Sequence, residues 1–284
     1  MKIVKANLNV FPILVVTAVL ALSFQACSTE RKTAVAYTKK ANTISLLVLK
    51  PEHLFKINQK LYLLDSLEPV PKDQEAQLLL DSSLFLRYLD DSLFIAQYMS
   101  GYKSELVKFG FRVYDESNME QFFNTDSNAI QVSVAQLELE ETIYPFRDEG
   151  EIYGETYYHQ HELNAVYVNS WFDIADVDHP TDKPSVYFST DMLVDQVNGT
   201  FEYDVFANQV RYLFNLEPLD TKMLTDFAYD LGRVYAGYTF DYLLNKELDK
   251  TLPPDERSGK YWRYNPYNRS FFLAGEDRFT PLDQ

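Results

Sequence analysis

The chain has 284 residues, of which 46% are hydrophobic, 15% aromatic and 24% charged, and its net charge is −16. That length and apolar content support one large domain or two small ones around a packed core, and they exclude a disordered chain. The acidity argues against nucleic acid as a partner and against docking on anionic lipid headgroups through the protein surface.

Lys2 and Lys5 open the chain with a short basic stretch, and residues 10–24 form an apolar run broken only by Pro12, Thr17 and Ser23. Ala26 then precedes Cys27, the single cysteine, and the polar Ser28-Thr29-Glu30-Arg31-Lys32 follows. A basic start, an apolar stretch of roughly 7–15 residues and a small residue before the cut are the parts of a secretory signal. A bilayer-spanning helix needs about 20 apolar residues. The leader resembles the lipobox of bacterial lipoproteins in the looser, Bacteroidota-type form, with Ala26 at the small position before Cys27. It departs from the strict pattern at Phe24 and Gln25. The resemblance covers only the leader. It implies that 1–26 are removed, that Cys27 carries acyl chains such as palmitate, and that the protein is anchored to the outer membrane facing the periplasm. A lone exposed thiol in an oxidising compartment would be a liability, which also favours acylation. Loss of Lys2 and Lys5 takes the charge from −16 to −18. With Cys27 acylated the domain has no disulfide, so packing alone must hold it.

Residues 27–42 are polar, carry Arg31, Lys32, Lys39 and Lys40, and read as a lipidated tether. Residues 43–49 form an apolar run closed by Lys50-Pro51, the pattern of a buried strand. Pro51, Pro69 and Pro71 make 52–74 a long connection with a structured scrap near 60–66. Asp81-Ser82-Ser83 offers a cap for a long helix, with Leu84, Phe85, Tyr88, Leu89, Leu93, Phe94, Tyr98, Leu106 and Val107 at three- and four-residue steps. Gly101 lies inside this span, and Gly110 ends it. A strand at 111–114, a short helix at 119–123 and an alternating strand at 129–141 follow, with a change of phase before Leu137 and Leu139.

The second half alternates aromatic and polar residues from Glu151 to Ile174, and a turn cluster occupies 179–184. Strands at 186–197 and 200–214 flank Asn198-Gly199, the dipeptide of a tight hairpin turn. Asp220-Thr221 caps a second long helix, in which Ala228, Gly232 and Ala236 recur every four residues and permit close packing on the sheet or the first helix. Residues 251–284 read as a loosely packed tail. The expected fold is therefore α+β, a single domain over 43–250. A strand-helix-strand-helix-strand layer (43–141) continues into an antiparallel sheet and helix (142–250), and two long helices pack the whole.

Few residues suggest chemistry. His159 and His161 share one side of a strand and could present two imidazoles to a metal, but no third ligand stands at a readable spacing. Glu138 and Glu140 likewise share a strand face. Paired carboxylates run acid–base chemistry when their environments differ, whereas such a row is also the ordinary solvated side of a strand. Asp173, Asp176, Asp178 and Asp182 lack the glycine and terminal glutamate of a calcium loop. Nucleophile elbows, zinc-helix motifs and phosphate-cradling glycine loops are missing. Trp171, Phe172, Tyr157 and Tyr158 are the aromatic side chains best suited to holding a sugar, lipid or peptide.

The order of elements behind an N-terminal lipid loosely resembles the auxiliary lipoproteins of envelope transport and assembly machines, in layout and not in motif. The expectation is a non-catalytic component of the envelope with a protein partner and no cofactor. A ligand-binding lipoprotein is the alternative, and a hydrolase using Glu138, Glu140, His159 or His161 comes third.

Overall fold

A computed structural model describes residues 29–64, 71–125, 128–178, 185–275 and 277–282. Cys27, the rest of the leader and Asp182 lie outside these residues. The fold is α+β, built on a seven-stranded mixed sheet whose strands lie in the order Thr280–Pro281 (β11), Ser185–Val194 (β6), Glu155–Asp176 (β5), Ala129–Ile152 (β4), Ser45–Leu49 (β1) and Arg112–Tyr114 (β3), with Leu54–Asn58 (β2) beside β4.

The segment read as a tether is a helix, α1, over 29–40. Its inward stripe is Glu30, Ala34 and Tyr37, with Ala41 one turn further on, all buried. Tyr37 meets the edge of Phe240 at 5.5 Å. Only one of these residues is strongly apolar in sequence, and Glu30 hides the periodicity. β1 (Ser45–Leu49) is buried on both faces and lies parallel between β3 (Arg112–Tyr114) and β4 (Ala129–Ile152).

The proline-rich connection holds two unforeseen elements, β2 (Leu54–Asn58) and α2 (Lys72–Asp81). Asp81-Ser82-Ser83 therefore closes a helix and does not open one. The long helix α3 (Asp91–Lys108) starts at Asp90, whose carboxylate accepts from the Leu93 N–H at 3.0 Å. α4 (Met119–Phe123) covers the β1 end of the sheet through Phe122, Leu47 and Ala129.

β4 and β5 (Glu155–Asp176) form one long antiparallel ladder. A bulge between Val134 and Gln136 shifts the register, so the inward residues pass from Val132 and Val134 to Leu137 and Leu139. That is the phase change seen in the sequence.

β6 (Ser185–Val194) continues the sheet. The Asn198-Gly199 reading fails, because both residues lie inside β7 (Gln196–Asp204), paired with β8 (Gln209–Glu217). The chain reverses at 205–208 instead, with Asn208 at φ 50°. Gly199 has a packing role: a Cβ there would lie 1.9 Å from the Tyr212 hydroxyl.

α5 (Thr221–Thr251) begins at Asp220 as expected, its carboxylate accepting from the Met223 N–H at 2.7 Å. α3 and α5 cross at their glycines on one sheet face. A Cβ on Gly101 would lie 2.0 Å from the Tyr229 carbonyl oxygen, and one on Gly232 would lie 2.1 Å from that of Tyr98. This approach sets Tyr98, Tyr102 and Tyr235 against Phe172 in the core.

The tail is ordered. β9 (Tyr261–Asn265) and β10 (Ser270–Ala274) form a hairpin, and β11 (Thr280–Pro281) adds to β6. Trp262 and Phe279 are buried in the main core. Trp262 donates its indole N–H to Glu30 on α1 at 3.1 Å, joining the two ends of the described chain.

Candidate functional site

The feature that separates this chain from a plain sheet-and-helix domain is the length of β4 and β5. The last partner of β4 on the β2 side is Glu141, opposite Asn58, and β5 pairs with β6 only from Ala165 onward. Residues 142–152 and 155–164 therefore leave the body as a two-stranded arm. At about 3.3 Å per residue it is about 35 Å long. Its tip is a two-residue turn with Tyr153 at φ 54° and Gly154 at φ 83°, the left-handed pair a tight hairpin requires.

A buried polar joint holds the base of the arm. The Glu141 carboxylate accepts from Lys60 Nζ at 2.8 Å and from the N–H groups of Leu84, Phe85 and Leu86 at 2.9, 3.0 and 3.4 Å. Both side chains of the ion pair are closed to solvent. Lys60 also donates to Asn164 Oδ1 at 2.8 Å. Asn164 in turn donates to Asp195, which accepts the Leu219 N–H at 2.7 Å. The joint thus ties β2, both arm strands, the turn after β6 and the approach to α5.

The β7–β8 hairpin lies along one side of the arm. His159 stacks on Tyr212 at 4.1 Å, His161 meets Phe214 at 5.2 Å, and Tyr153 meets the edge of Tyr203 at 5.3 Å. Phe201 lies over Gly150, where a Cβ would come within 2.4 Å of its ring. The Tyr212 hydroxyl donates to Asp148 at 2.7 Å, and burial together with that carboxylate pushes the hydroxyl up to about 12.

The two hairpins leave apolar surface uncovered. Phe206 at the β7–β8 tip is fully exposed, and Tyr153 is 85% exposed. Val205, Leu213 and Phe214 add to this surface. Around it, segments 145–162 and 196–217 carry eight carboxylates and only Arg147 and Arg211 as cations.

The sequence-derived candidates are scattered. Tyr157, Tyr158, His159 and His161 are on the arm. Trp171 lies about 40 Å further along the same strand, by the rise per residue. Phe172 is corrected outright: it is fully buried under the helices, stacked on Tyr102 at 6.1 Å. Trp171 points to the opposite sheet face, against Phe188 at 4.9 Å, while Tyr158 stacks on the Arg147 guanidinium at 4.1 Å.

The two imidazoles do share a side, with ring centres 6.1 Å apart, and they sit in the aromatic layer. Among the described residues no three His, Cys, Asp or Glu converge on a point suited to a metal. Glu138 and Glu140 also share a face. Asn169 Nδ2 reaches them at 3.2 and 3.5 Å, and Asn169 Oδ1 accepts from Thr190 at 2.7 Å. The Asp176–Asp178 cluster serves local backbone, with Asp178 accepting the Ala129 N–H at 3.1 Å.

A cleft of about 490 Å³ lies between α5 and the β9–β10 hairpin. Its three guanidiniums, Arg233, Arg263 and Arg278, face Glu105, Asp230 and Asp241. Burial opposes ionisation of Glu105, but hydrogen bonds from Tyr267, Lys108 and Arg233 hold its carboxyl below the ordinary value. Asp241 accepts the Tyr264 N–H at 2.9 Å, and burial pushes its carboxyl up to about 7.

The main aromatics of this surface, Tyr153 at the arm tip and Phe201, Phe206, Tyr212 and Phe214 on the hairpin beside it, were missed as site residues in the sequence. The alternation of Phe201, Tyr203, Tyr212 and Phe214 was visible, but a turn set at Asn198-Gly199 gave them the wrong partners. No protein-family model matches the chain, and no curated protein matches it. Among the described residues no helix is long and apolar enough to cross a membrane.

Proposed function

We propose that this protein is a non-catalytic component of the bacterial envelope, lipid-anchored at Cys27, that binds a partner protein through the aromatic arm. The observation that carries this reading is the arm tip. Phe206 and Tyr153 project into solvent at the end of a two-layer hairpin whose inner face is already filled by stacked rings. Exposed aromatic groups on a preformed scaffold are the usual anchors of a protein interface. The ring of carboxylates around them selects a partner surface with an apolar socket and a basic rim.

A photo-crosslinking residue at position 206, compared with one at exposed Tyr62 on the body, tests this in intact envelopes. The expected result is a discrete adduct from 206 alone, lost in a Tyr153→Ser background and weakened by salt. Equal labelling from both positions, or an adduct indifferent to Tyr153, would refute it.

One observation favours the second reading, a ligand on the open sheet face. Trp171 and Phe188 form an aromatic ledge beside the Glu138–Asn169–Thr190 row, the mixture of ring face and hydrogen-bonding groups that suits a sugar. Quenching of Trp171 fluorescence by oligosaccharide, abolished in Asn169→Ala, would support it. An unchanged spectrum across a glycan panel would remove it.

A further inference from the structure

We infer that the solvent face of α1 is a membrane-facing surface that lies on anionic lipid headgroups, so that the domain stands on the bilayer with the arm directed away. This rests on the proposed lipid anchor at Cys27. Three observations lead to it.

The first is continuity. The described part of α1 starts at residue 29, two positions beyond Cys27 in sequence, and it is fastened to the body there. Glu30 is buried and accepts from the Ser258 N–H at 2.6 Å and from the Trp262 indole. Nearer its end, Lys40 pairs with Glu247 at 2.6 Å. A helix held at Glu30 and again at Lys40 leaves only two residues between Cys27 and a fixed segment, so an acylated Cys27 brings the outer side of α1 to the headgroups.

The second is charge. The exposed side of α1 carries Arg31, Lys32, Lys39 and Lys40 around exposed Val35, and it carries no carboxylate. The one acid of this helix, Glu30, is turned inward. Exposed Lys246, Lys250 and Lys260 border the same end of the body, where Asp249 is paired with Arg257. The nearest carboxylate, Glu247, is taken up by Lys40, and with Asp176 and Asp178 it shares a recess that Lys40, Lys246 and Lys250 also line behind α1. A chain of net charge −16 thus presents a cationic and apolar helix face beside its proposed lipid and its carboxylate-rich arm elsewhere. Such a face suits the surface of a bilayer containing anionic lipid.

The third is direction. Glu30 lies at the level of Asn245, which holds the backbone of Trp262 through two hydrogen bonds. The other end of α5 is fastened to the arm base through Leu219, Asp195 and Asn164. From residue 221 to 245 is about 36 Å of helix, and the arm adds about 35 Å. β5 runs unbroken from the tip to Asp176 at the α1 end, so both lengths lead the same way. Measured along these elements, Phe206 is held roughly 70 Å from the membrane.

The test uses the full chain, processed by the cell and reconstituted in vesicles. With Cys27 acylated, one new cysteine, Val35→Cys or Phe206→Cys, takes a fluorophore alone. Headgroup spin-labelled lipid should quench the label at 35 strongly and the label at 206 hardly at all. Vesicles of phosphatidylcholine without phosphatidylglycerol, or the Lys32→Glu/Lys39→Glu variant, should reduce the quenching at 35. Equal quenching at both positions, or quenching at 35 indifferent to lipid charge and to the variant, overturns the surface. The mass of the processed N-terminus separates the two readings. Acyl groups on Cys27 with equal quenching refute the orientation alone, whereas a chain without them refutes the anchor and the surface together.

Discussion

Replacing Glu141 by Gln tests the logic of the arm joint. The carboxylate is closed to solvent, pairs with Lys60 and accepts three backbone N–H groups from the turn at 84–86. Gln keeps the shape and one acceptor oxygen but leaves the Lys60 ammonium buried without a counter-charge and turns an N–H₂ toward a donor. Removing one member of a buried pair costs about 3–5 kcal/mol, because the stranded charge keeps its desolvation penalty. For a domain of this size that lowers Tm by roughly 10 °C. Adding Lys60→Met removes the stranded charge, so the double variant should recover at least about half of the loss. Urea denaturation followed by tryptophan fluorescence measures all three chains, and amide exchange shows whether the arm base loosens first. A loss below about 1 kcal/mol in the single variant, or a double variant no more stable than the single, would refute the reasoning.

Three further outcomes are expected. Gly232→Ala places a methyl against the Tyr98 carbonyl and should cost about 2–3 kcal/mol by forcing α3 and α5 apart, measured by chemical denaturation. Gly199→Ala displaces Tyr212 from His159 and Asp148. It should speed amide exchange in β7 and β8 while leaving α3 and α5 protected. Asp241→Asn should stabilise the protein at pH 8 and leave it nearly unchanged at pH 4. The sign follows from a folded carboxyl raised to about 7. Between about pH 4 and pH 7 the native chain keeps a proton that the unfolded chain releases, so wild-type stability falls as pH rises through that window and is flat above it. The gain at pH 8 should be on the order of 4 kcal/mol, about three pK units at roughly 1.4 kcal/mol each. Equal Tm shifts at the two pH values would contradict it.

The elements that could be read from the sequence are those whose signals are local. Asp220 before a periodic apolar stripe fixed the start of α5, and the shift of phase before Leu137 announced the bulge in β4. The failures share a different cause. Glu30 in the inward stripe of α1 looks like solvent-facing charge until Trp262, more than two hundred residues later, supplies its partner. Asn198-Gly199 has the chemistry of a turn, and only the cross-strand ring of Tyr212 shows that the glycine is there for space. At the site, the pattern placed His159 and His161 on one side correctly. It could not reveal that rings from β8 occupy that side, nor that Phe172 and Trp171, adjacent in sequence, serve opposite faces.

The unbroken passage of β4 and β5 from the tip into the core has a mechanical consequence. A hairpin joined through a flexible linker swings under load. Here the strands that receive a force at Tyr153 are also the central strands of the sheet, bonded on both flanks by β1, β2 and β6. A pull along the arm loads those flanking ladders in shear, many bonds at once, instead of peeling them singly. The protein is thereby built as a stiff lever, able to pass tension or thrust from its far end to its base without first unfolding a hinge.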